Sequence, residues 1–526
     1  MPSKSNILIP VSLRREFTLS GWDTVSLSII ILSFILQLLR LPFFPLFIDT
    51  YYHLSVMLGF DQAGGYVTHA FWEASPFGRA HLYPPLLHIV MLLLYKVGFS
   101  KIFIAKFFDF ILYPAALLAI WLIFRKVISG IFAFFAVLIA ASSYTFYLGF
   151  VNTHAASCAL LICLGVFYCI WQRKTAASIM LFGLSFYTHP GISGFFIPIF
   201  ILYGLFDRGY LTACLKAVLG AIVIAAPLLA CFYINRSNFH AVNLNENSFL
   251  EFNLAIYLGA ILGLCFFLKN KKIYYLFLFF VLGMLPMVFN YRFRYFCFQG
   301  LLGYILLCSS FIYELFLRIR RGRGIFLAGI LILFFVFSPV INLNSGNIGM
   351  DAFGSNLFKQ IGVFMDLRKE NRGSDLGDVR NSRIYDRRSF EGIVRIIRDN
   401  SESDDIIYSD LNYAGGILGV FSERATSTTM LKEIRPKADF DPVSHAKVII
   451  LFRENDGSIN AKSEMLIKKY SLIYIAATEL ASVYINPEAK SKRIIEKPLI
   501  STPFLIAIFL IYLSILPLFL RNNRQS

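Results

Sequence analysis

The side chains that could do chemistry are concentrated in one long polar segment after the first apolar run, residues 45–102. Asp49 stands near its start, in Phe-Ile-Asp-Thr-Tyr-Tyr-His, and His53 follows four residues later. This spacing predicts that both side chains lie on one face of a helix. A carboxylate in this position could act as a general base on a hydroxyl group, with the imidazole orienting the substrate or binding its phosphate.

Two other interpretations of Asp49 remain open. Its side chain could cap a short interfacial helix beginning at Thr50, because Asp is among the preferred N-cap residues. Asp49 and His53 could also bind a metal ion together. We favour this last alternative less, and we expect no cofactor and no metal site.

Further candidates for binding a substrate or its phosphate lie in polar separators between the apolar runs. They are His53, Glu73, Arg79, His81, Tyr83, His154, His189, Arg292 and Arg294. Arginine suits phosphate because it donates two parallel hydrogen bonds. The alternatives to a binding role are that these side chains lie in surface loops that tolerate them, and that the arginines extend to lipid headgroups. Most of the histidines of the chain fall in or beside these separators, and this clustering favours a functional site.

The composition indicates whether the helices that position these residues lie in water or in lipid. Of 526 residues, 57% are hydrophobic and 15% charged, and mean hydropathy is +0.65. A soluble chain is about one-quarter charged, so this chain needs lipid as solvent. The net charge of +17 could indicate nucleic acid, but the basic residues punctuate apolar runs, as cytoplasmic loops do. We therefore expect an integral membrane protein with membrane lipids as partners and no nucleic-acid binding.

The topology follows from the distribution of the basic residues. Apolar runs long enough to cross begin near residues 24, 103, 129, 154, 175, 190, 210, 250, 273, 296, 324 and 498. Basic separators alternate with others, and the positive-inside rule places both termini in the cytoplasm and residues 45–102 outside. The run 84–98 must then be re-entrant or interfacial, begun by Pro84-Pro85. The fold class is a polytopic α-helical membrane protein with about twelve transmembrane helices.

The segment 343–497 has the mixed composition of a soluble domain. Ser389–Asn400 and Asn460–Tyr470 have helical spacing, whereas Asp405–Ser409 and Ala446–Phe452 are typical of buried strands. This alternation predicts a small outward α/β domain near the C-terminus. It would follow a transmembrane domain, 1–342, and precede a last helix with a basic cytoplasmic tail, 498–526. A part of it, 366–388, is predicted to be a flexible linker.

This layout resembles the GT-C superfamily of membrane glycosyltransferases. Asp49 matches by position the acidic residue that follows the first helix of that family. The run Trp72–Arg79, followed by Leu82-Tyr83-Pro84-Pro85, is similar to a Trp-Asp…Pro-Leu-Gly-Arg…Tyr-Pro-Gly run in the catalytic subunit of oligosaccharyltransferase. Tyr-Pro-Pro-Leu is also similar to the Pro-Pro-Leu of lipid-A aminoarabinose and protein mannosyl transferases. Arg292-Phe293 resembles an Arg-Phe that binds donor phosphate in the oligosaccharyltransferase group.

The resemblance implies an inverting glycosyltransferase with a polyprenyl- or dolichyl-phosphate-linked sugar as donor. The acceptor would be a glycan, lipid or protein on the outer face of a prokaryotic plasma membrane. Asp49 would be the general base, and Arg292 and Arg294 would stabilise the leaving phosphate.

The sequence departs from the oligosaccharyltransferase pattern in two places. Asn152-Thr153-His154 stands where that family has a metal-holding Asp-x-Glu, and residues 343–497 contain no Trp. Both departures argue against a bound metal and against transfer to Asn sequons. The alternative functions are a transporter or lipid-linked-sugar flippase, and a structural or sensor protein.

Overall fold

Serine caps begin several of the apolar helices. In the computed structural model, which describes residues 19–39, 41, 48–238, 250–344, 347–370, 387–430, 434–436, 438–454 and 457–520, the first helix is Gly21–Leu38 (α1). The Ser20 hydroxyl accepts from the N–H of Asp23, and the Asp23 carboxylate accepts from the N–H of Ser20 at 2.8 Å. This capping box satisfies backbone donors at the helix end.

The remaining helices of the apolar part follow in order. They are α2 (Ile48–Ala63), α3 (Leu86–Lys96), α4 (Lys101–Val127), α5 (Gly130–Ser142), α6 (Tyr144–Asn152), α7 (His154–Trp171), α8 (Thr175–Phe186), α9 (Pro190–Phe206), α10 (Arg208–Ile234), α11 (Leu254–Leu262), α12 (Lys272–Met284), α13 (Met287–Asn290), α14 (Arg292–Phe296), α15 (Leu301–Arg318), α16 (Arg323–Leu331) and α17 (Asn356–Glu370). π-Helical turns extend α11 through Phe267 and α16 through Phe337.

Seven helices are long and apolar enough to cross a membrane, counted over the part of the chain that the structure describes. They are Gly21–Leu38, Lys101–Val127, His154–Trp171, Arg208–Ile234, Lys272–Asn290, Arg292–Arg318 and Thr502–Leu520. Six shorter apolar helices lie between them, and every predicted apolar run begins within a few residues of a described helix. The chain has a polytopic helical membrane fold, and the number of about twelve crossings stays a prediction.

The run after Pro84-Pro85 forms a short helix. α3 has 11 residues, which is about 16 Å of helix, whereas the hydrocarbon core is about 30 Å thick. This length is too small for a full crossing, in agreement with the re-entrant or interfacial placement.

A mixed α/β unit lies within residues 387–486. Its helices are α18 (Arg387–Asp399), α19 (Asn412–Ser422), α20 (Pro442–His445) and α21 (Ala461–Lys469), and its strands are β7 (Ile406–Ser409), β8 (Ala425–Thr426), β9 (Val448–Phe452), β10 (Ile473–Ala477) and β11 (Ala481–Ile485). The strand order is β10-β11-β9-β7-β8, with β7 parallel to both β8 and β9. β9 is buried at every position, as a central strand covered on both faces should be. The helices and strands predicted here are confirmed, whereas their outward placement stays a prediction.

The first part of the predicted soluble segment packs on the apolar helices instead. Strands β4 (Glu251–Asn253), β5 (Val340–Asn344) and β6 (Asn347–Asp351) form a small antiparallel sheet, and α17 contacts α5 and α6. The boundary at residue 343 stays a prediction. The predicted linker 366–388 begins as the end of α17, and its residues 371–386 lie outside the described residues.

The polar segment after α1 is tied to the α/β unit and to the last helix, α22 (Thr502–Leu520). Strand β1 (Gly65–Tyr66) pairs with β12 (Ile500–Ser501), whereas β2 (His69–Ala70) pairs with β3 (Arg79–Ala80). The N–H of Thr426 donates to the carbonyl of Trp72 at 2.9 Å. Gly59 of α2 is required under Trp72, since a Cβ there would lie 2.0 Å from the indole ring.

A buried ion pair stands at this junction. Arg79 is 1% exposed, and its Nε and Nη2 donate to Glu73 Oε1 at 2.9 and 2.6 Å. Arg79 also donates to the carbonyl of Ile434, and the N–H of Met430 donates to Glu73. The pair therefore bonds the first polar segment to Met430 and Ile434.

We predict that Glu73→Gln lowers the free energy of unfolding by about 3–5 kcal/mol, because it leaves the Arg79 charge buried without its partner. Glu402→Gln is the matched control: it breaks the exposed pair of Glu402 with Lys492 and should cost less than about 1 kcal/mol. Denaturant unfolding of the purified protein, followed by tryptophan fluorescence, measures both. Equal effects would contradict a structural role for the buried pair.

Candidate functional site

Helix α2 carries the predicted catalytic carboxylate. Asp49 lies in its first turn and His53 one turn later, so the predicted shared face is present. The described helix already begins at Ile48, which does not match the alternative in which Asp49 caps a helix starting at Thr50. Asp49 is partly exposed, whereas His53 is fully buried.

A buried carboxylate on a neighbouring helix fixes the start of α2. The Thr50 hydroxyl donates to Asp109 Oδ1 at 3.0 Å, and His154 Nε2 lies 2.8 Å from the same oxygen. Thr50 Oγ1 is also 3.5 Å from His154 Nδ1. These contacts join α2, α4 and the first residue of α7.

Asp109 was not among the candidates from sequence. It is the single acidic residue of the apolar run that forms α4, and it is 7% exposed. An ionisable residue inside a transmembrane segment is expensive and is usually retained for function. The sequence alone shows one acidic residue within this apolar run, so Asp109 could have been identified as a candidate from sequence.

Five histidines and a tyrosine gather beside α2. His53 Nδ1 lies 2.9 Å from His88 Nε2, and the ring of His53 is 6.2 Å from that of His154. The Tyr83 ring is 5.1 Å from His53 and 6.5 Å from His189. We call this group the histidine cluster; its members are His53, His81, His88, His154, His189 and Tyr83.

The histidines of this cluster that lie outside the membrane-spanning helices are held neutral. Burial, and next the neighbouring His88, His154 and His189, hold the pKa of His53 well below its usual range. Burial lowers the pKa of His81 to about 3, with Arg79 adding to the effect. Neutral imidazoles both donate and accept hydrogen bonds, which suits sugar hydroxyl groups better than phosphate.

Arg294 is the arginine that the structure brings to the cluster. It interacts electrostatically with His189, whose Nδ1 accepts from the N–H of Ile192 at 3.1 Å. The Arg294 Nε is buried and makes no hydrogen bond among the described residues. Arg292 is placed differently, with an exposed side chain whose Nε donates to the carbonyl of Val288 at 3.3 Å.

Glu73 and Arg79 lie at the junction with the α/β unit, where they form an ion pair with each other. Their predicted contact with substrate stays a prediction, as does that of Arg292. Within the residues described, no group of three or more His, Cys, Asp or Glu side chains is arranged to hold a metal ion.

The described helices form a polytopic membrane fold that is similar to the fold of GT-C proteins of known structure. The oligosaccharyltransferase of Archaeoglobus fulgidus, in complex with Zn and sulfate, superposes with a TM-score of 0.53 over 87% of this chain and 73% of that one, at 11% identity. ArnT from Cupriavidus metallidurans, bound to undecaprenyl phosphate, gives a TM-score of 0.53 over 90% and 99% of the chains, at 13% identity.

Both of these proteins are GT-C glycosyltransferases that use polyprenyl-phosphate-linked donors. The archaeal enzyme in complex with an inhibitory peptide and a dolichol-phosphate gives a TM-score of 0.52 at 11% identity, over 89% of this chain and 75% of that one. No protein-family model matches this sequence, and no curated protein does. The resemblance to the GT-C superfamily is confirmed for the fold, which is what identities this low establish.

We predict that the folded state loses stability as the pH falls from about 7 to 5. The unfolded chain protonates His81 near its ordinary pKa of 6.5, whereas the folded chain does so only near 3, so protons favour unfolding across this window. His81→Phe, which keeps a ring against Phe60 and Trp72, should reduce this dependence. Denaturant midpoints at several pH values measure it, and an unchanged slope in the variant would contradict the assignment.

Proposed function

We propose that this protein is a glycosyltransferase that moves a sugar from a polyprenyl-phosphate-linked donor to an acceptor hydroxyl, with inversion. The observation that supports it most is the proximity of the helix of Asp49, the histidine cluster and Arg294. The ring of Tyr83 lies 5.1 Å from that of His53 and 6.5 Å from that of His189, and the charge of Arg294 acts on His189. A general base and a phosphate-binding cation would thus face one cluster of hydrogen-bonding groups.

The proposed chemistry is a single displacement at the anomeric carbon. The Asp49 carboxylate takes the proton of the acceptor hydroxyl as its oxygen bonds to that carbon. The bond from the carbon to the phosphate oxygen breaks, and its electron pair leaves with the lipid phosphate. One displacement inverts the configuration, and the sugar has oxocarbenium character at the transition state.

Arg294 would act on the leaving group. Negative charge grows on the phosphate oxygen as the bond breaks, and a guanidinium already in place stabilises it without reorganisation. Its buried Nε, without a hydrogen bond in the described residues, suits a group reserved for a ligand. Arg292 would assist from the exposed side.

The histidine cluster would hold the sugar between base and leaving group. His53, His154 and His189 can exchange hydrogen bonds with hydroxyl groups, and Tyr83 can stack on the ring of the sugar. Holding the anomeric carbon in line with the acceptor oxygen is worth several powers of ten in rate. No step needs a metal ion in this scheme.

We place this site on the outer face of a prokaryotic plasma membrane, with both termini in the cytoplasm. The support is the alternation of basic separators along the chain. The donor would be linked to polyprenyl or dolichyl phosphate, and the acceptor would be a glycan, lipid or protein.

We predict that Asp49→Asn lowers the transfer rate by about 10²–10⁴-fold through loss of the general base. Asp61→Asn is the matched control, because Asp61 stands in the same helix and is paired with Lys96. Proteoliposomes receive a synthetic polyprenyl-phosphate hexose with a tritiated sugar and a mixture of methyl glycosides as acceptors, and water-soluble labelled disaccharide is counted.

Three outcomes of this experiment are informative. Transfer by the wild type and Asp61→Asn but not by Asp49→Asn supports the proposal. Normal transfer by a folded Asp49→Asn protein would remove Asp49 from the mechanism. Label that stays on the lipid but crosses the bilayer would instead indicate the alternative function of a flippase.

We predict that Thr50→Val lowers the transfer rate by about tenfold, and that Thr50→Ser stays close to the wild type. Valine keeps the shape of the fully buried Thr50 but removes the hydroxyl that donates to Asp109, a loss of about 1–2 kcal/mol in positioning α2. The same transfer assay measures both variants. Equal rates for them would show that the hydroxyl does not position Asp49.

A further inference from the structure

The strand β6 and the helix α17 present apolar side chains outward and polar side chains inward. This is the reverse of the arrangement that water favours. Residues 343–365 belong by sequence to the part predicted to be soluble, where apolar side chains are expected to face inward.

The described inner face at the start of α17 carries two buried amides. Asn356 is 2% exposed and donates to the hydroxyl of Tyr113 and to the carbonyl of Ala141, each at 3.0 Å. Gln360, 4% exposed, donates to Asn356 Oδ1 at 2.8 Å and accepts from Gln37 of α1 at 2.8 Å. The buried amides satisfy one another and the helices behind them.

The outer face of the same helix is apolar. Phe358, Ile361 and Met365 follow the i, i+3, i+7 spacing of one helical stripe and are 45%, 41% and 44% exposed. Covering three such side chains would favour folding, because it removes apolar surface from water. In water, this stripe would be left uncovered.

The edge strand of the small sheet repeats the pattern. Ile348 and Met350 of β6 share one face and are 79% and 70% exposed. Their partners across the hairpin, Leu343 and Ile341, are apolar as well. On the other face, Glu251 of β4 binds Lys359 of α17 at 2.9 Å. The charged groups of this sheet are thus turned toward the protein.

The depth of α17 is set by its contact with α4. Tyr113 lies 12 residues before Arg125, about 18 Å along a helix that is itself a candidate span. Arg125 marks the basic end of α4, which belongs at the membrane surface. Because the hydrocarbon core is about 30 Å thick, the start of α17 lies within it.

The apolar surface of α16 continues into this segment without a break. Ile332, Leu333 and Phe337, in its π-helical extension, are exposed, and the ring of Phe337 stacks on that of Phe353 at 5.4 Å. α16 and its π-helical extension together have 15 residues and are about 22 Å long, so they do not cover the full thickness of the hydrocarbon core. Residues 340–344 and 347–365, which follow along the chain, cover the remaining depth.

We propose that residues 340–344, 347–351 and 356–365 form a lipid-embedded platform, whose outer face contacts the acyl chains of the bilayer. The platform contacts membrane lipid, because it extends the apolar surface that α16 already exposes to lipid. The amides of α17 hydrogen-bond within the protein, as polar groups at membrane depth must, and the open edge of β6 lies at the level of the headgroups, because an unpaired strand edge is not found in hydrocarbon. This inference does not depend on the proposed enzymatic function.

Spin labels test the proposal in proteoliposomes of the full chain. Met350→Cys and Ile361→Cys place a nitroxide on the sheet and on the helix of the platform, in a background where the exposed Cys265 is replaced by Ser. Met465→Cys is the matched control, since Met465 is 64% exposed on α21 of the α/β unit. The parent protein without an added cysteine supplies the background signal.

Collision with oxygen, which dissolves in hydrocarbon, is compared with collision with a polar nickel chelate. We expect the ratio of oxygen to nickel collision rates at both platform positions to exceed that at Met465→Cys by about tenfold, because hydrocarbon admits apolar solutes and excludes polar ones. A ratio equal to the control would show a water-exposed surface and overturn the proposal. Low rates with both reagents would show a contact with another protein or a second copy, and would overturn it equally.

Discussion

A single buried carboxylate holds the centre of this protein together. Asp109 lies in the apolar helix α4 and contacts the hydroxyl of Thr50 and the imidazole of His154. In a low-dielectric interior, a carboxylate without such partners would cost several kcal/mol, so its presence forces α2 and α7 to meet α4 at one point. The direction in which Asp49 leaves the first helical turn, and the position of His53 beside His154, both follow from that meeting.

The same low dielectric explains why the cluster consists of neutral rings. Five neighbouring imidazoles could not all carry charge, and burial keeps those outside the spans unprotonated at neutral pH. The permanent positive charge at this site therefore comes from arginine, whose guanidinium keeps its proton. Because of burial, the histidines outside the spans are neutral and Arg294 carries the positive charge. This arrangement suits a ligand with hydroxyl groups at one end and phosphate at the other.

Much of the fold could be read from the sequence because lipid imposes simple rules. Apolar runs predicted where most of the long apolar helices begin, and alternation within residues 389–470 predicted the strands β7 and β9 and the helices α18 and α21. The shared face of Asp49 and His53 follows from helical spacing alone. Contacts between distant segments could not be read in this way. Arg79 has the residue type of a phosphate ligand, and only the folded chain shows that Glu73 and the carbonyl of Ile434 occupy its guanidinium. Similarly, a polar face turned inward and one turned outward have the same composition, so the sequence could not show that α17 turns Asn356 and Gln360 toward the apolar helices.

The pairing of β1 with β12 bears on when the site can form during synthesis. The carbonyl of Tyr66 accepts from the N–H of Leu499, and Trp72 and Glu73 accept from Thr426 and Met430. The polar segment between α2 and α3 therefore lacks its partners until residues some 350 to 430 positions later have been made. The early helices can enter the membrane one after another. The segment that follows α2, however, stays unpaired until the ribosome has made the later residues that it binds. A nascent chain stalled before the α/β unit should consequently hold a first polar segment that proteases still cut. The order of translation thus delays the site until the scaffold that surrounds it is already in place.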